Sequence, residues 1–277
     1  MKKKIFSITM VLIFFITSTA FSSEFKNEVH FMDVGQSDCI LIKSKSANYL
    51  LDTGAEYYTD TILKYLSVNN ITKIKDIIIT HFHDDHYGGL IKICEKLQVD
   101  KVYLPPHNNE IKNSLHKGLI ERGINVKYIN RNFVLESDGV HLEAIGPVVE
   151  DVSNENNNSI VLQGEIDGVK YLFPGDCEKE EEMDLVRSKF VKKCDVLKVP
   201  HHSLNTSSTD RFLEVINPEI AIVTSNGVET PNFKVLSKYV KYGAAVMRTD
   251  IHGNIVVKND MVKESKNGFL INLKKGM

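Results

Sequence analysis

Residues 76–89 read Asp-Ile-Ile-Ile-Thr-His-Phe-His-Asp-Asp-His-Tyr-Gly-Gly, and this stretch decides the fold. Its first half, DIIIT, is a continuous apolar run with four β-branched residues, the pattern of a strand buried on both faces. Its second half places His81, His83, Asp85 and His86 within six positions, at the point where such a strand ends. Residues two apart on a chain leaving a strand can face the same way. Imidazoles and a carboxylate so gathered suit a divalent transition metal. His81 and His83 are expected to serve one ion, Asp85 and His86 a second. A solvated loop that is merely rich in histidine is the alternative. The four fixed positions HxHxDH arise by chance about 3 × 10⁻⁶ times per start, from this chain's composition.

Around this stretch, short apolar runs alternate with helical patterns. Upstream, Val29–Met32, Cys39–Lys43 and Tyr49–Leu51 have strand character, followed by a helix from Asp60 to Val68 with Ile62, Leu63 and Leu66 on one face. Downstream come a helix from Gly89 to Leu97, a strand from Lys101 to Leu104, and a helix from Ile111 to Arg122 stopped by Gly123. Five short strands then follow between Val126 and Phe173, with Asp167-Gly168 as the hairpin turn of the last two. The remainder alternates again: helix Glu178–Phe190, strand Asp195–Val199, helix Thr209–Val215, strand Ile220–Thr224, helix Asn232–Tyr239. Strands at Ala244–Met247 and Ile255–Val257 are expected to close the chain. Two mixed halves of this kind imply an α/β protein with helices outside packed sheets, and one domain over residues 26–277.

Composition is that of a globular protein: 277 residues, 42% hydrophobic and 25% charged. Four cysteines are too few for a disulfide scaffold, and their pairing is left open by spacing alone. The opening MKKKIFSITMVLIFFITSTAFSS has a basic start, an apolar run and small residues near its end. This is the layout of an export signal over residues 1–23, with an uncleaved anchor as the alternative. Its removal takes three of the 34 Lys and Arg and no acid, so the net charge falls from −2 to −5. The expected location is therefore outside the cytoplasm. No membrane channel is expected in the rest of this chain.

The motifs occur in a familiar order. HFMDVGQSDCILI (His30–Ile42), LDTG (Leu51–Gly54), HFHDDHYGG, NNNSIVL (Asn156–Leu162), FPGD (Phe173–Asp176), LKVPHHSLNTSS (Leu197–Ser208) and MRTDIHGNI (Met247–Ile255) span most of the chain. Together they resemble the metallo-β-lactamase superfamily, and within it the metallo-hydrolase domain of ComEC-type DNA-uptake proteins. The resemblance implies an αββα sandwich with a dinuclear centre at one edge between the sheets. It implies Asp176 as the bridging carboxylate and His201 as the last metal-binding histidine, with His202 as the alternative ligand. His202 would touch substrate or shuttle a proton, so Asp85 and His202 are the expected catalytic residues. Asp52 would support the ligand loop through hydrogen bonds. Two divalent ions are implied, Zn²⁺ foremost and Mn²⁺ as the alternative.

Two departures stand out. Glu155-Asn156-Asn157-Asn158-Ser159 holds no histidine where many superfamily members have one, which weakens the first site or shifts its metal preference. Ser203-Leu204 replaces the subgroup's Gly-Ser. The expected activity is hydrolysis of a phosphodiester, in nucleic acid or a small diester, by metal-activated water. The acidic balance counts against a long polyanion. The alternatives are hydrolysis of another ester or a lactam, and a non-catalytic metal-containing binding or accessory protein.

Overall fold

The computed structural model describes residues 26–268 and 270–273, so the expected export segment lies outside the described residues. The first half contains β1 (Glu28–Phe31), β2 (Ile40–Lys43), β3 (Asn48–Leu51), α1 (Thr59–Val68), β4 (Lys73–Ile78), α2 (Asp84–Tyr87) and α3 (Leu90–Lys96). It continues with β5 (Gln98–Leu104), α4 (Glu110–Glu121) and β6 (Asn125–Tyr128). The second half begins with β7 (Val134–Ser137), β8 (Val140–Gly146), β9 (Val161–Ile166) and β10 (Val169–Phe173). Then come α5 (Lys179–Arg187), β11 (Val196–Lys198), α6 (Asp210–Ile216), β12 (Ile220–Val223), α7 (Phe233–Lys241) and β13 (Ala245–Arg248). The one-turn α8 (Thr249–His252) leads to β14 (Ile255–Lys258), β15 (Met261–Glu264) and β16 (Leu270–Asn272).

These strands make two sheets. One has the order β16-β15-β14-β1-β2-β3-β4-β5-β6, the other β13-β12-β11-β10-β9-β8-β7. Three apolar clusters separate four layers. One lies between the sheets, with Phe31, Tyr49 and Ile78 meeting Tyr171, Phe173 and Ile222. A second packs Ile62, Leu66, Ile93 and Leu119 of α1, α3 and α4 on the outer face of the first sheet. The third packs Leu185, Phe212, Leu213 and Tyr239 of α5, α6 and α7 on the second sheet. The result is the αββα sandwich, because each sheet buries one face on the other and its second face under helices.

Local chemistry explains the element ends. Asn109, Thr209 and Asn232 cap α4, α6 and α7 by accepting from Ile111, Phe212 and Lys234 backbone N–H groups. Asp167 and Gly168 both have positive φ, the backbone of the tight hairpin their sequence announces. Two expectations need correction. Helix α5 stops at Arg187 instead of Phe190, because Lys189 turns left-handed at φ 57°. The chain does not close at Val257: β15 and β16 extend the first sheet at its edge. Their signal is weak because β15, MVKE, buries Val262 and a glutamate, Glu264, in alternation.

Candidate metal centre

One edge of the sandwich collects strand ends from both sheets. From the first sheet, β3 delivers Asp52, β4 delivers Thr80 to His86, and the β1–β2 connection delivers Asp38. From the second, β10 delivers Asp176, β11 delivers His201 and His202, and β12 delivers Thr224. Hydrogen bonds tie the two sets. The Ile160 N–H donates to the Thr80 carbonyl at 2.9 Å, and Thr224 Oγ1 donates to Asp38 Oδ1 at 2.7 Å across 186 residues of sequence.

Asp85, His86, Asp176 and His202 converge here: one ligand atom from each lies within 4.8 Å of every other. Asp176 Oδ2 is 3.2 Å from His86 Nε2 and 3.3 Å from His202 Nε2. Asp85 Oδ2 is 3.3 Å from His202 Nε2 and 3.8 Å from His86 Nε2. The backs of both rings are occupied. His86 Nδ1 donates to Asp52 Oδ2 at 2.7 Å, and His202 Nδ1 donates to the Thr224 carbonyl at 2.9 Å. With those bonds made, each imidazole in its neutral form presents an Nε2 lone pair to the carboxylate oxygens. Both Nε2 atoms are buried without a hydrogen-bond partner. Four such groups aimed at one point form a donor set that could hold a divalent metal ion.

The surrounding charges agree. Burial alone would push the His86 and His202 imidazoles down. The carboxylates outweigh it, Asp176 foremost, holding His86 well above its usual value and His202 at about 9. Burial alone would raise Asp176, yet His202, Lys198 and His86 hold it well below the usual carboxylate range. Such groups exchange protons for a metal ion when one binds.

Backbone strain marks the same place. His201, His202 and Ser203 have φ of 48°, 50° and 68°, a left-handed run that side chains avoid unless the surroundings impose it. Here Leu204 N–H bonds the His201 carbonyl and Asn232 N–H bonds the Ser203 carbonyl, which turns His202 inward. Asp52, at φ 59°, is also left-handed, and its carboxylate accepts from the Thr80 N–H, Thr80 Oγ1 and His86.

The structure brings most of the expected residues to this edge, in unequal positions. His81 is buried, with Nε2 3.1 Å from His83 Nδ1, and its ring centroid is 4.1 Å from that of His86. These two form a pair beside the four-residue group. His201 stands at the rim. Its Nδ1 lies 2.8 Å from Thr206 Oγ1 and 3.1 Å from Glu178 Oε1, and its Nε2 is 4.0 Å from Asp176 Oδ2. The geometry thus seats His202, not His201, in the convergent group, because the left-handed turn buries the second ring and leaves the first 16% exposed. Of the histidine-free stretch, Asn157 and Asn158 are spent on Asp151, and Glu155 accepts from the Phe82 N–H and His107. All four cysteines are free and buried.

Sequence reasoning passed over Lys198. Its ammonium is buried between Asp176 Oδ1 and Asp38 Oδ2, at 3.0 and 2.5 Å. The signal was available, since a lysine inside an apolar strand needs a buried anion.

Comparison with known proteins agrees with the geometry. Residues 32–225 match the family model described as the Metallo-beta-lactamase superfamily. The chain is 26% identical over 257 residues to ComE operon protein 3 of Bacillus subtilis, covering 83% of this chain and 33% of that protein. It is 26% identical over 231 residues to competence protein ComA of Neisseria gonorrhoeae, covering 80% and 30%. The chain therefore spans about a third of the length of these relatives. Among solved structures, CmlA, a diiron beta-hydroxylase from Streptomyces venezuelae, aligns with a TM-score of 0.59 at 14% identity. That alignment covers 84% of this chain and 54% of CmlA, and a likeness at that identity concerns the fold alone.

Proposed function

This chain belongs to the metallo-beta-lactamase superfamily, and on that basis we propose that it is a metal-dependent hydrolase of phosphodiesters. The observation that carries the proposal is the convergence of Asp85, His86, Asp176 and His202, with two buried Nε2 atoms lacking partners. Metal ions bound there would supply a Lewis acid for an anionic oxygen and lower the pKa of a water molecule.

The chain's own residues divide the remaining work. Asp52 and Thr224 fix the His86 and His202 rings so that Nε2 faces inward. Asp85 is 30% exposed, which puts it where substrate approaches. His201, half-turned to solvent and oriented through Nδ1 by Thr206 and Glu178, directs Nε2 toward the same space. We assign His202 to metal binding and His201 to the substrate or leaving group, exchanging the two roles that the sequence resemblance implied. His81 and His83 are the donors for a second ion, with no third histidine beside them in the Glu155–Ser159 stretch.

Nucleic acid is the favoured phosphodiester. Support comes from the resemblance to the hydrolase domain of ComEC-type DNA-uptake proteins and from relatives named for competence. Among the described residues no helix is long and apolar enough to cross a membrane. Residues 1–23 are proposed as an export signal on their basic start and apolar run.

The test combines metal analysis with a substrate panel: bis-p-nitrophenyl phosphate, p-nitrophenyl phosphorylcholine, single-stranded DNA and nitrocefin, each with Mn²⁺ and Zn²⁺. Cleavage of diesters that is lost in Asp176→Ala and His86→Ala supports the proposal. Hydrolysis of nitrocefin alone would move it to lactams. Metal binding with no turnover on any substrate would favour an accessory protein.

A further inference from the structure

Lys198 is the last residue of β11, in a run of three buried residues. It is 1% exposed. Its Nζ contacts Asp38 Oδ2 at 2.5 Å and Asp176 Oδ1 at 3.0 Å, and donates to the Gly175 carbonyl at 3.2 Å. Those three contacts use all three ammonium hydrogens. Asp38 comes from the other sheet, is also buried, and gives its second oxygen to Thr224 Oγ1. Asp176 is divided in the same way: Oδ1 faces Lys198, and Oδ2 faces His86 and His202. One ammonium thus compensates two buried carboxylates of opposite sheets, and one of these belongs to the convergent group.

We propose that Lys198 is a built-in counter-cation of the centre. It neutralises the buried Asp38 and Asp176 carboxylates, keeps the ligand group formed without a divalent ion, and weakens the attraction of that group for metal. The proposal rests on the reading of Asp176 as a metal-facing carboxylate. Two buried anions held near each other without a cation are strongly unfavourable, and removing one member of such a cluster destabilises the fold. A fixed positive charge on the far side of Asp176 also repels an incoming cation through a medium that screens poorly. Both effects act in one direction. With Lys198 present the chain folds with little help from metal, and metal binds reversibly. Without it, metal is the cation left to hold Asp176, and folding becomes linked to metal.

The experiment compares full-length wild type, Lys198→Met, Asp38→Asn and the double variant Asp38→Asn/Lys198→Met. Mn²⁺ and Zn²⁺ affinities are read by competition with a chelating dye, and thermal unfolding is followed in EDTA and in excess metal. Lys198→Met is expected to bind metal about 10-fold or more tightly than wild type, within the range such neighbours exert. It is also expected to unfold earlier in EDTA and to gain more from metal. Asp38→Asn, which leaves the cation less opposed, is expected to bind about 10-fold more weakly. The double variant preserves the wild-type charge and should return close to wild-type affinity. Lys198→Met that fails to fold in EDTA yet folds in metal also supports the proposal.

Lys198→Met binding no more tightly than wild type overturns it. So does a double variant that keeps the Lys198→Met affinity, since packing and not charge would then be responsible. If Lys198→Met folds under neither condition, an unchanged affinity in Asp38→Asn overturns the proposal. Wild type that binds no metal at all overturns the metal-centre reading, and this proposal with it.

Discussion

His86 Nδ1 and Asp52 Oδ2 lie 2.7 Å apart, both fully buried and 34 residues apart in sequence. The bond joins the end of β3 to the short helix α2 that follows β4 and decides which nitrogen of His86 faces the centre. Asp52 has no slack, because the Thr80 N–H and hydroxyl take up the rest of its carboxylate. Replacing it with alanine strands three buried donors. Asp52→Ala is expected to lose about 3 kcal/mol of stability and about 10- to 100-fold in metal affinity. Urea unfolding and dye competition measure the two losses. Asp52→Asn keeps one oxygen and tolerates the left-handed backbone, so it should lose less of both.

A metal that binds only the folded chain stabilises it by mass action. Zn²⁺ or Mn²⁺ at about 100 times its dissociation constant is expected to add about 2.7 kcal/mol. EDTA should reverse the gain. In His86→Ala and Asp176→Ala the metal-induced shift in unfolding temperature should vanish, and a full shift in either would remove that residue from the ligand group.

The two adjacent histidines should separate cleanly. His202→Ala is expected to lose metal, as read by metal analysis after gel filtration. His201→Ala should keep metal within about threefold and lose about 100-fold in turnover, the size of a positioned proton donor's contribution. The reverse pattern would return the metal role to His201.

Burial in the face of α5 that covers the second sheet raises Glu181 to about 8, although the Val148 N–H bonds it. The same burial raises Glu182 to about 7, although it accepts from the Ser208 and Thr209 N–H groups. A carboxyl whose folded value lies above its unfolded value stabilises the fold fully below the unfolded value, near 4.5. That contribution is lost as pH rises through the folded value. Glu181→Gln should therefore be neutral near pH 4.5 and raise the unfolding temperature by about 4 °C at pH 8 or above, a stabilisation of about 1–2 kcal/mol. An equal effect at both pH values would show that ionisation is not the cause.

Much of this molecule is legible along the chain. The first three residues of DIIIT lie in β4, which begins earlier at Lys73 and ends at Ile78, and VKYLF is β10, because their β-branched and aromatic runs fit the space between a partner sheet and covering helices. Asp167-Gly168 turns where it must because both residues tolerate positive φ. His81, His83, Asp85 and His86 announce themselves because their spacing is local, within six residues that run from the end of β4 into α2. Strands β15 and β16 are hidden because β15, which alternates buried Val262 with buried Glu264, lacks the apolar alternation that marks its neighbours.

What the chain alone determined were most of the strands, the placing of helices outside packed sheets and the supply of metal-binding side chains, since each follows from neighbours in sequence. What tertiary structure decided was the division of labour. His201 and His202 are chemically equivalent along the chain, and a left-handed turn between two sheets sends one inward and the other to the rim. Lys198 and Asp38 are 160 residues apart in sequence, and their pairing exists because strands of opposite sheets end at the same edge. Ion pairs of this kind are set by distance in space and by burial, and neither is written in the local pattern of residues.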